Sequence, residues 1–210
     1  PELGNKRIQK FNSDGEPLAI YGEGILDSTR SVAIADNGDI YSLDEFNHRV
    51  VRLTSDGDII NTWGSFGVAP SQFYFPNSIT IAEGFVFVSD SGNARIQKFD
   101  MDGNFVALAG EYGTKNHQFV APRGIFAHEG YLYIAESAGY MIKKYDLDLN
   151  FIDVMGGFGV LNIPNQVAMG IDGNLIVTNT GSHQLVFLND DASIVTSAIG
   201  PGRHAPGEIN

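Results

Sequence analysis

The side chains best placed to do chemistry recur at one position of a repeated segment. Asp44, Asp90, Glu136 and Asn179 each close an apolar run and stand just ahead of a turn. Three carboxylates and an amide converging on one opening could hold a hard cation such as calcium, because such ions take several oxygen ligands from separate loops. A plainer task is open to the same residues. A carboxylate ahead of a turn can cap backbone N–H groups, or pair with the arginine that follows at Arg49 or Arg95. Recurrence favours that local task, since a fold rule must be repeated in every segment and a site need not be. His128, at the end of another apolar run, is the histidine placed to join such a cluster, and its imidazole would favour zinc.

Other chemistries are excluded more firmly. With no cysteine, disulfides, thiolate metal sites and thiol nucleophiles are ruled out. Asp100-Met101-Asp102-Gly103-Asn104 resembles the start of a calcium loop, yet Tyr112 stands near the place where the twelfth-position glutamate is needed, and a hairpin turn accounts for the segment. There is no Gly-x-Ser-x-Gly and no Walker loop, so no catalytic set is expected. A net charge of −12 argues against nucleic acid, whose phosphates need a basic face. No run of 18 apolar residues is present, so no membrane-spanning helix is expected. The sequence starts at Pro1 inside a repeat, so any targeting signal is expected to have been removed or to lie upstream. The compartment is not specified, and an extracellular or cell-surface setting is the favoured expectation.

The elements that must position these residues follow from the repeat. Arg7, Arg49, Arg95, Met141 and Gln184 are equivalent, spaced 42, 46, 46 and 43 residues apart. The best copy is Gly92-Asn93-Ala94-Arg95-Ile96-Gln97-Lys98-Phe99-Asp100, echoed by Gly4-Asn5-Lys6-Arg7-Ile8-Gln9-Lys10-Phe11-Asn12. Each full copy holds four strand signals, as in Ser31 to Ala35, Asp39 to Asp44, Arg49 to Thr54 and Ile59 to Trp63. Asn37-Gly38 and Asp56-Gly57 supply hairpin turns between them. Inner strands are expected to begin at Ser78, Gly124 and Gln166 in the later copies. Four-stranded antiparallel meanders repeated at this period predict an all-β propeller rather than a helical solenoid. Between copies run glycine and aromatic connections, Trp63-Gly64-Ser65-Phe66-Gly67 with Gln72-Phe73 and then Pro76 among them, whose aromatics are expected to plug the seams between blades.

The pattern Pro-x-x-Ile-x-(Ile/Phe)-x-x-x-Gly-x-(Val/Leu)-(Phe/Tyr)-(Val/Ile)-(Ser/Ala)-(Asp/Glu)-Ser-(Gly/Ala), followed by Arg-Ile-Gln-Lys-Phe-Asp-x-Asp-Gly-Asn-Phe, resembles the NHL repeat and extends over nearly the whole chain. The resemblance implies an NHL-type β-propeller, part of a five- or six-bladed ring. Four complete four-stranded blades are expected, with the outer two strands of an N-terminal blade, in a single domain: 1–27 partial, then 28–75, 76–121, 122–163 and 164–210. It also implies that His48 and His183, at a position often histidine in such repeats, are structural. A zinc site built from His128 and a loop histidine would resemble the peptidyl-amidoglycine lyases, whose disulfides are absent here.

Arg30, Asn77, Arg123 and Asn165 fall just ahead of successive inner strands, which in related propellers border the channel mouth, and are the candidate binding residues. Phe46, Tyr74 and Tyr140 are candidate partner contacts. The expected function is a non-enzymatic binding or assembly scaffold for protein or glycan partners, with no cofactor. The alternatives are a metal-dependent lyase or lactonase-like hydrolase using calcium or zinc on Asp44, Asp90, Glu136 and His128, and a filament or array subunit whose open edges are completed by a neighbouring copy, a homo-oligomer.

Overall fold

Alternating apolar and polar residues become paired strands, and the Asn-Gly and Asp-Gly turns become loops with left-handed backbone, Gly38 at φ 88° and Gly57 at φ 97°. The computed structural model describes residues 1–189 and 194–197. A two-stranded sheet pairs β1 (Ile8–Phe11) with β2 (Pro17–Tyr21), and four sheets of four strands follow. The first full blade is β3 (Thr29–Ile34), β4 (Ile40–Asp44), β5 (Arg49–Leu53) and β6 (Ile59–Trp63). The second is β7 (Pro76–Ala82), β8 (Phe85–Asp90), β9 (Arg95–Asp100) and β10 (Phe105–Ala109). The third is β11 (Pro122–His128), β12 (Tyr131–Glu136), β13 (Met141–Asp146) and β14 (Phe151–Gly156). The fourth is β15 (Pro164–Met169), β16 (Leu175–Asn179), β17 (Gln184–Leu188) and β18 (Ile194–Ser197). Each is an antiparallel meander in chain order, the β-propeller blade expected from the repeats. The remainder of the 164–210 segment, with His204, lies outside the described residues.

The chain divides into two compact halves, Pro1–Leu108 and Ala109–Asn210. In the N-terminal half, apolar side chains of successive blades meet in the seams between sheets. Ile8, Tyr21 and Leu26 close on Ile40, Val51 and Leu53. Tyr41, Leu43 and Val50 close on Ile79, Val86, Val88 and Phe99, with Phe73 inserted among them. In the C-terminal half the corresponding seam joins Ala135, Ile142, Met155 and Leu161 to Val167, Val177, Val186 and Leu188. Of the aromatics expected to plug seams, Phe73 and Phe119 are fully buried and Trp63 packs against the cluster that holds Phe73. Phe66, at 65% exposed, and Phe158, at 90%, stay outside, and Leu161 takes the buried place in the connection that carries Phe158. Burial of such a phenylalanine contributes about 1.5–3 kcal/mol, which is why the connections keep one apolar residue there and leave the other free for solvent or a partner.

The inner strands begin earlier than the alternation predicts. Thr29, Pro76, Pro122 and Pro164 still pair with Asp44, Asp90, Glu136 and Asn179, and the register then shifts. Arg30, Asn77, Arg123 and Asn165 therefore lie inside the strands, at a β-bulge in each blade, rather than ahead of them. Periodicity of two is broken at a bulge, so alternation starts only after it.

Candidate functional site

The blade end that carries the bulge is built around one acidic or amide side chain. The second and third strands are joined by a tight loop whose last residue adopts left-handed backbone: His48 at φ 51°, Ala94 at 53°, Tyr140 at 58° and His183 at 54°. That reversal sets Asp44 opposite Arg49, Asp90 opposite Arg95, Glu136 opposite Met141 and Asn179 opposite Gln184. Asp44 Oδ1 accepts the backbone N–H groups of Asp27 and Ser28 at 3.0 and 3.1 Å. Its Oδ2 accepts from Asn47 Nδ2 and Arg49 Nε, both at 2.9 Å. Asp90 repeats the pattern with Tyr74 N at 2.8 Å and with Asn93, Arg95 and Gln97. Glu136 takes Val120 N and Ala121 N, and Asn179 Oδ1 takes Asn162 N.

Each of these side chains thus holds the incoming connection against its own blade. Burial pushes the Asp44 carboxyl upward, but the bonds from Asn47, Ser28, Asp27 and Arg49 outweigh it and hold the group below its ordinary range. Around Asp90, deeper burial wins and the carboxyl is pushed up despite its donors. In the third blade Met141 replaces the arginine. Lys143 lies beneath, with Nζ donating to the carbonyls of Lys115 and Gln118 and lying 4.8 Å from the Phe119 ring. Burial lowers the Lys143 ammonium below its usual range, against the attraction of Glu136.

Residues 73–99 match the NHL repeat. They span the second blade from its seam phenylalanine to the end of its third strand, including Asp90 and Arg95. The fold is shared with solved structures at low identity. A virginiamycin B lyase from Staphylococcus aureus superposes with a TM-score of 0.71 at 19% identity, covering 92% of this chain and 63% of that one. A streptogramin B lyase gives 0.73 at 20%, covering 91% and 61%. A nidogen/laminin complex gives 0.71 at 18%, covering 88% and 71%. The chain therefore spans less than two thirds of the length of the lyase structures it matches. No curated protein is matched by the chain.

Of the residues singled out as metal ligands, Glu136 and His128 share one hairpin but lie at its opposite ends. Pro122 pairs with Glu136 at one end of the β11–β12 hairpin, and His128 pairs with Tyr131 at the other. Strand rise separates those ends by about 20 Å. His128 instead lies 3.7 Å from the Glu129 carboxylate and stacks on Phe126 at 6.1 Å. Among the described residues no three of His, Asp and Glu come together as a group able to hold a metal ion. The carboxylates expected as ligands direct their oxygens at backbone and arginine.

The bulged residues differ from blade to blade. Arg30 Nη1 lies 3.5 Å from Glu45 Oε2, which Ser28 Oγ also approaches at 3.4 Å. Asn77 is buried and its Oδ1 has no hydrogen-bond partner among the described residues. Immediately after these two bulges, the Ser31 and Ser78 hydroxyls meet at 3.4 Å where β3 runs beside β7. In the C-terminal half the same place is held by Gly124, where an added Cβ would fall 2.7 Å from the Asn165 carbonyl and from the Gln166 Cα. Arg123 and Asn165 are half-buried.

Two further features bring together residues that the repeat presents singly, Tyr74 among them as a candidate partner contact. His48, Phe66, Tyr74 and Phe75 form a mutually packed group, with ring centroids 4.7 to 6.3 Å apart. Phe66 is 65% exposed and Phe75 44%. The run Phe73-Tyr74-Phe75 held the cue: the first ring enters the seam, and Phe75 takes a left-handed φ of 46°, a conformation that costs a bulky residue about 1 kcal/mol or more. The second feature is a cleft in the fourth blade, where Asn179 and Gln184 stand in place of the aspartate and arginine.

Proposed function

We propose that this protein is a non-enzymatic binding scaffold, an NHL-type propeller that engages a protein partner through the aromatic group on the first and second blades. The observation that carries the reading is the exposed packing of Phe66, Tyr74 and Phe75 around the half-buried His48. Aromatics are enriched at the centres of protein interfaces, where their large area contributes most of the affinity. Val68, 76% exposed in the same connection, extends the apolar area. The net charge of −12 keeps the remaining surface soluble and favours partners that are not polyanions. The likeness to a chain of a nidogen/laminin complex supports the reading at the level of fold, because that structure is one of a protein–protein complex.

The test compares the protein with a Phe66→Ser, Tyr74→Ser variant in capture from a native extract, followed by binding of the captured partner in purified form. A partner held by the parent and released by the variant supports the reading. Equal retention by both, or cleavage of quinupristin, the compound present in a structure of a catalytically inactive virginiamycin B lyase, overturns it.

A further inference from the structure

The fourth blade departs from the first two at the corner where its strand pair meets the incoming connection. In the second blade Arg95 fills that corner, donating to Asp90 and to the carbonyls of Val68, Ala69 and Gln72. The first blade has a short connection, residues 22–28, and Arg49 still reaches both Asp44 and the Ile25 carbonyl. The fourth blade also has a short connection, residues 157–163, but Gln184 replaces the arginine and Asn179 the aspartate. Among the described residues no guanidinium enters, and a cleft of about 500 Å³ remains, lined by Tyr140, Phe158, Asn162, Asn179, Ser182 and Gln184 among others.

Several polar groups facing this cleft make no hydrogen bond among the described residues. Asn179 is only 2% exposed, and its Oδ1 accepts the Asn162 N–H. Its Nδ2 makes no hydrogen bond among the described residues, and neither do the Gln184 amide and the Ser182 hydroxyl. None of these groups is among the buried atoms left without a partner, so they open onto the cleft and are free to exchange water for a ligand's hydroxyl groups. Beside these groups Phe158 is 90% exposed, held edge-on to Tyr140 with centroids 5.7 Å apart. Among the described residues no lining side chain is charged.

These features select a ligand class. An ionised ligand would find no counter-charge, and a wholly apolar one would bury the free amides without partners. A flat heterocycle is poorly served, because the two rings stand nearly perpendicular and cannot clamp it. An uncharged pyranose fits all three conditions. Its C–H face lies on an exposed aromatic ring, and its hydroxyls both donate to and accept from carboxamides. We propose that the cleft between the Tyr140 and Phe158 rings and the Asn179–Gln184 pair is a subsite for a neutral pyranose sugar. Phe158 is the stacking platform, while Asn179, Ser182 and Gln184 hold the hydroxyls.

The test is a titration of the isotope-labelled protein with D-glucose, D-galactose and N-acetyl-D-glucosamine, with D-glucuronate and N-acetylneuraminate as charged controls, read by backbone amide shifts. At least one neutral sugar is expected to give saturable shifts at Asn179 to Gln184, and the charged sugars none. Phe158→Ala is expected to weaken binding about tenfold, a typical loss for one well-used contact. Asn179→Asp with Gln184→Arg rebuilds the pair of the second blade and is expected to abolish binding while the protein stays folded. The proposal is overturned if none of the neutral sugars saturates, if the charged sugars bind equally, or if Phe158→Ala binds like the parent. That last variant decides the matter even where the double variant fails to fold, because the ring it removes is exposed. Phe66→Ser with Tyr74→Ser leaves sugar binding intact, so loss of the protein-binding reading and loss of this one are separable results.

Discussion

Arg95 stands directly across β8–β9 from Asp90, its Nε 2.8 Å from Oδ2, with both side chains withdrawn from water. The same guanidinium satisfies three carbonyls of the connection ahead of its own blade. Removing it strands a buried carboxylate and unpairs those carbonyls together. Arg95→Ala is therefore expected to lower unfolding free energy by about 3–5 kcal/mol, the usual cost of breaking a buried pair. Arg49 is partly solvated and reaches one carbonyl, so Arg49→Ala is expected to cost only about 1–2 kcal/mol. Denaturant titration of both variants checks the ranking, and equal costs would show that the carbonyl contacts contribute nothing.

Gly124 of β11 faces β15 at a point where a Cβ would meet backbone that cannot swing aside. Gly124→Ala is expected to cost more than about 2 kcal/mol, because adjacent inner strands must separate to admit the methyl group. Gly130 gives the contrast: its φ of 79° disfavours alanine, but nothing lies within 4 Å of the point where a Cβ would stand. Gly130→Ala is expected to cost about 1 kcal/mol, from backbone conformation alone. Thermal midpoints of the two variants measure the difference between collision and conformational strain.

The four four-stranded sheets, their strand order and their hairpin turns were legible in the sequence, because the repeat supplies each signal several times. The role of Asp44 and Asp90 was legible as one of two alternatives, since pairing with the arginine five positions on is a local relationship. The bulges at Arg30 and Asn77 were not, because a skipped residue leaves no mark in alternation except a strand that begins late. The packing of Phe66 on Tyr74 depends on which ring of each connection enters the seam, a choice made by tertiary packing rather than by residue type. The fourth-blade cleft was written in the sequence as the exchange of Asp and Arg for Asn179 and Gln184, yet it gains meaning only once the geometry shows what the arginine fills elsewhere.

Arg52 clamps the first blade to the second at the opposite end of the strands. Its Nε and Nη2 reach Asp39 Oδ2 at 2.9 and 2.7 Å, and its Nη1 reaches the Met101 carbonyl and Asp102. The bond from Arg52, joined by one from Asn37 and opposed by burial, holds the Asp39 carboxyl below its ordinary range. A carboxylate with a depressed folded-state pKa stabilises the fold above its unfolded value near 4, and that contribution is lost as pH falls through the lower, folded value. Asp39→Asn is expected to be less stable than the parent at pH 7, with the gap closing below about pH 4. Unfolding measured on both proteins across that range checks the sign, and a constant gap would mean that the ion pair does not contribute through charge.

Lys143 occupies the place that Gln97 holds in the second blade, where Gln97 Nε2 donates to the Gln72 carbonyl at 2.8 Å and to Asp90 at 3.1 Å. Its ammonium makes the corresponding bond to the Gln118 carbonyl, but it is buried, and that burial lowers its folded-state pKa against the pull of Glu136. For a base with a depressed pKa the unfolded chain holds more protons between the folded and unfolded values, so stability rises with pH across that window. Lys143→Gln keeps a donor for the Gln118 carbonyl and removes the buried charge. It is expected to unfold within about 1 kcal/mol of the parent at pH 7. As pH climbs toward the ordinary lysine value near 10.4, the parent alone should gain, moving the difference in its favour. Parallel denaturant titrations at pH 7 and at about pH 10 measure that movement, and an unchanged difference would show that the Lys143 ammonium is as well solvated in the blade as in the unfolded chain.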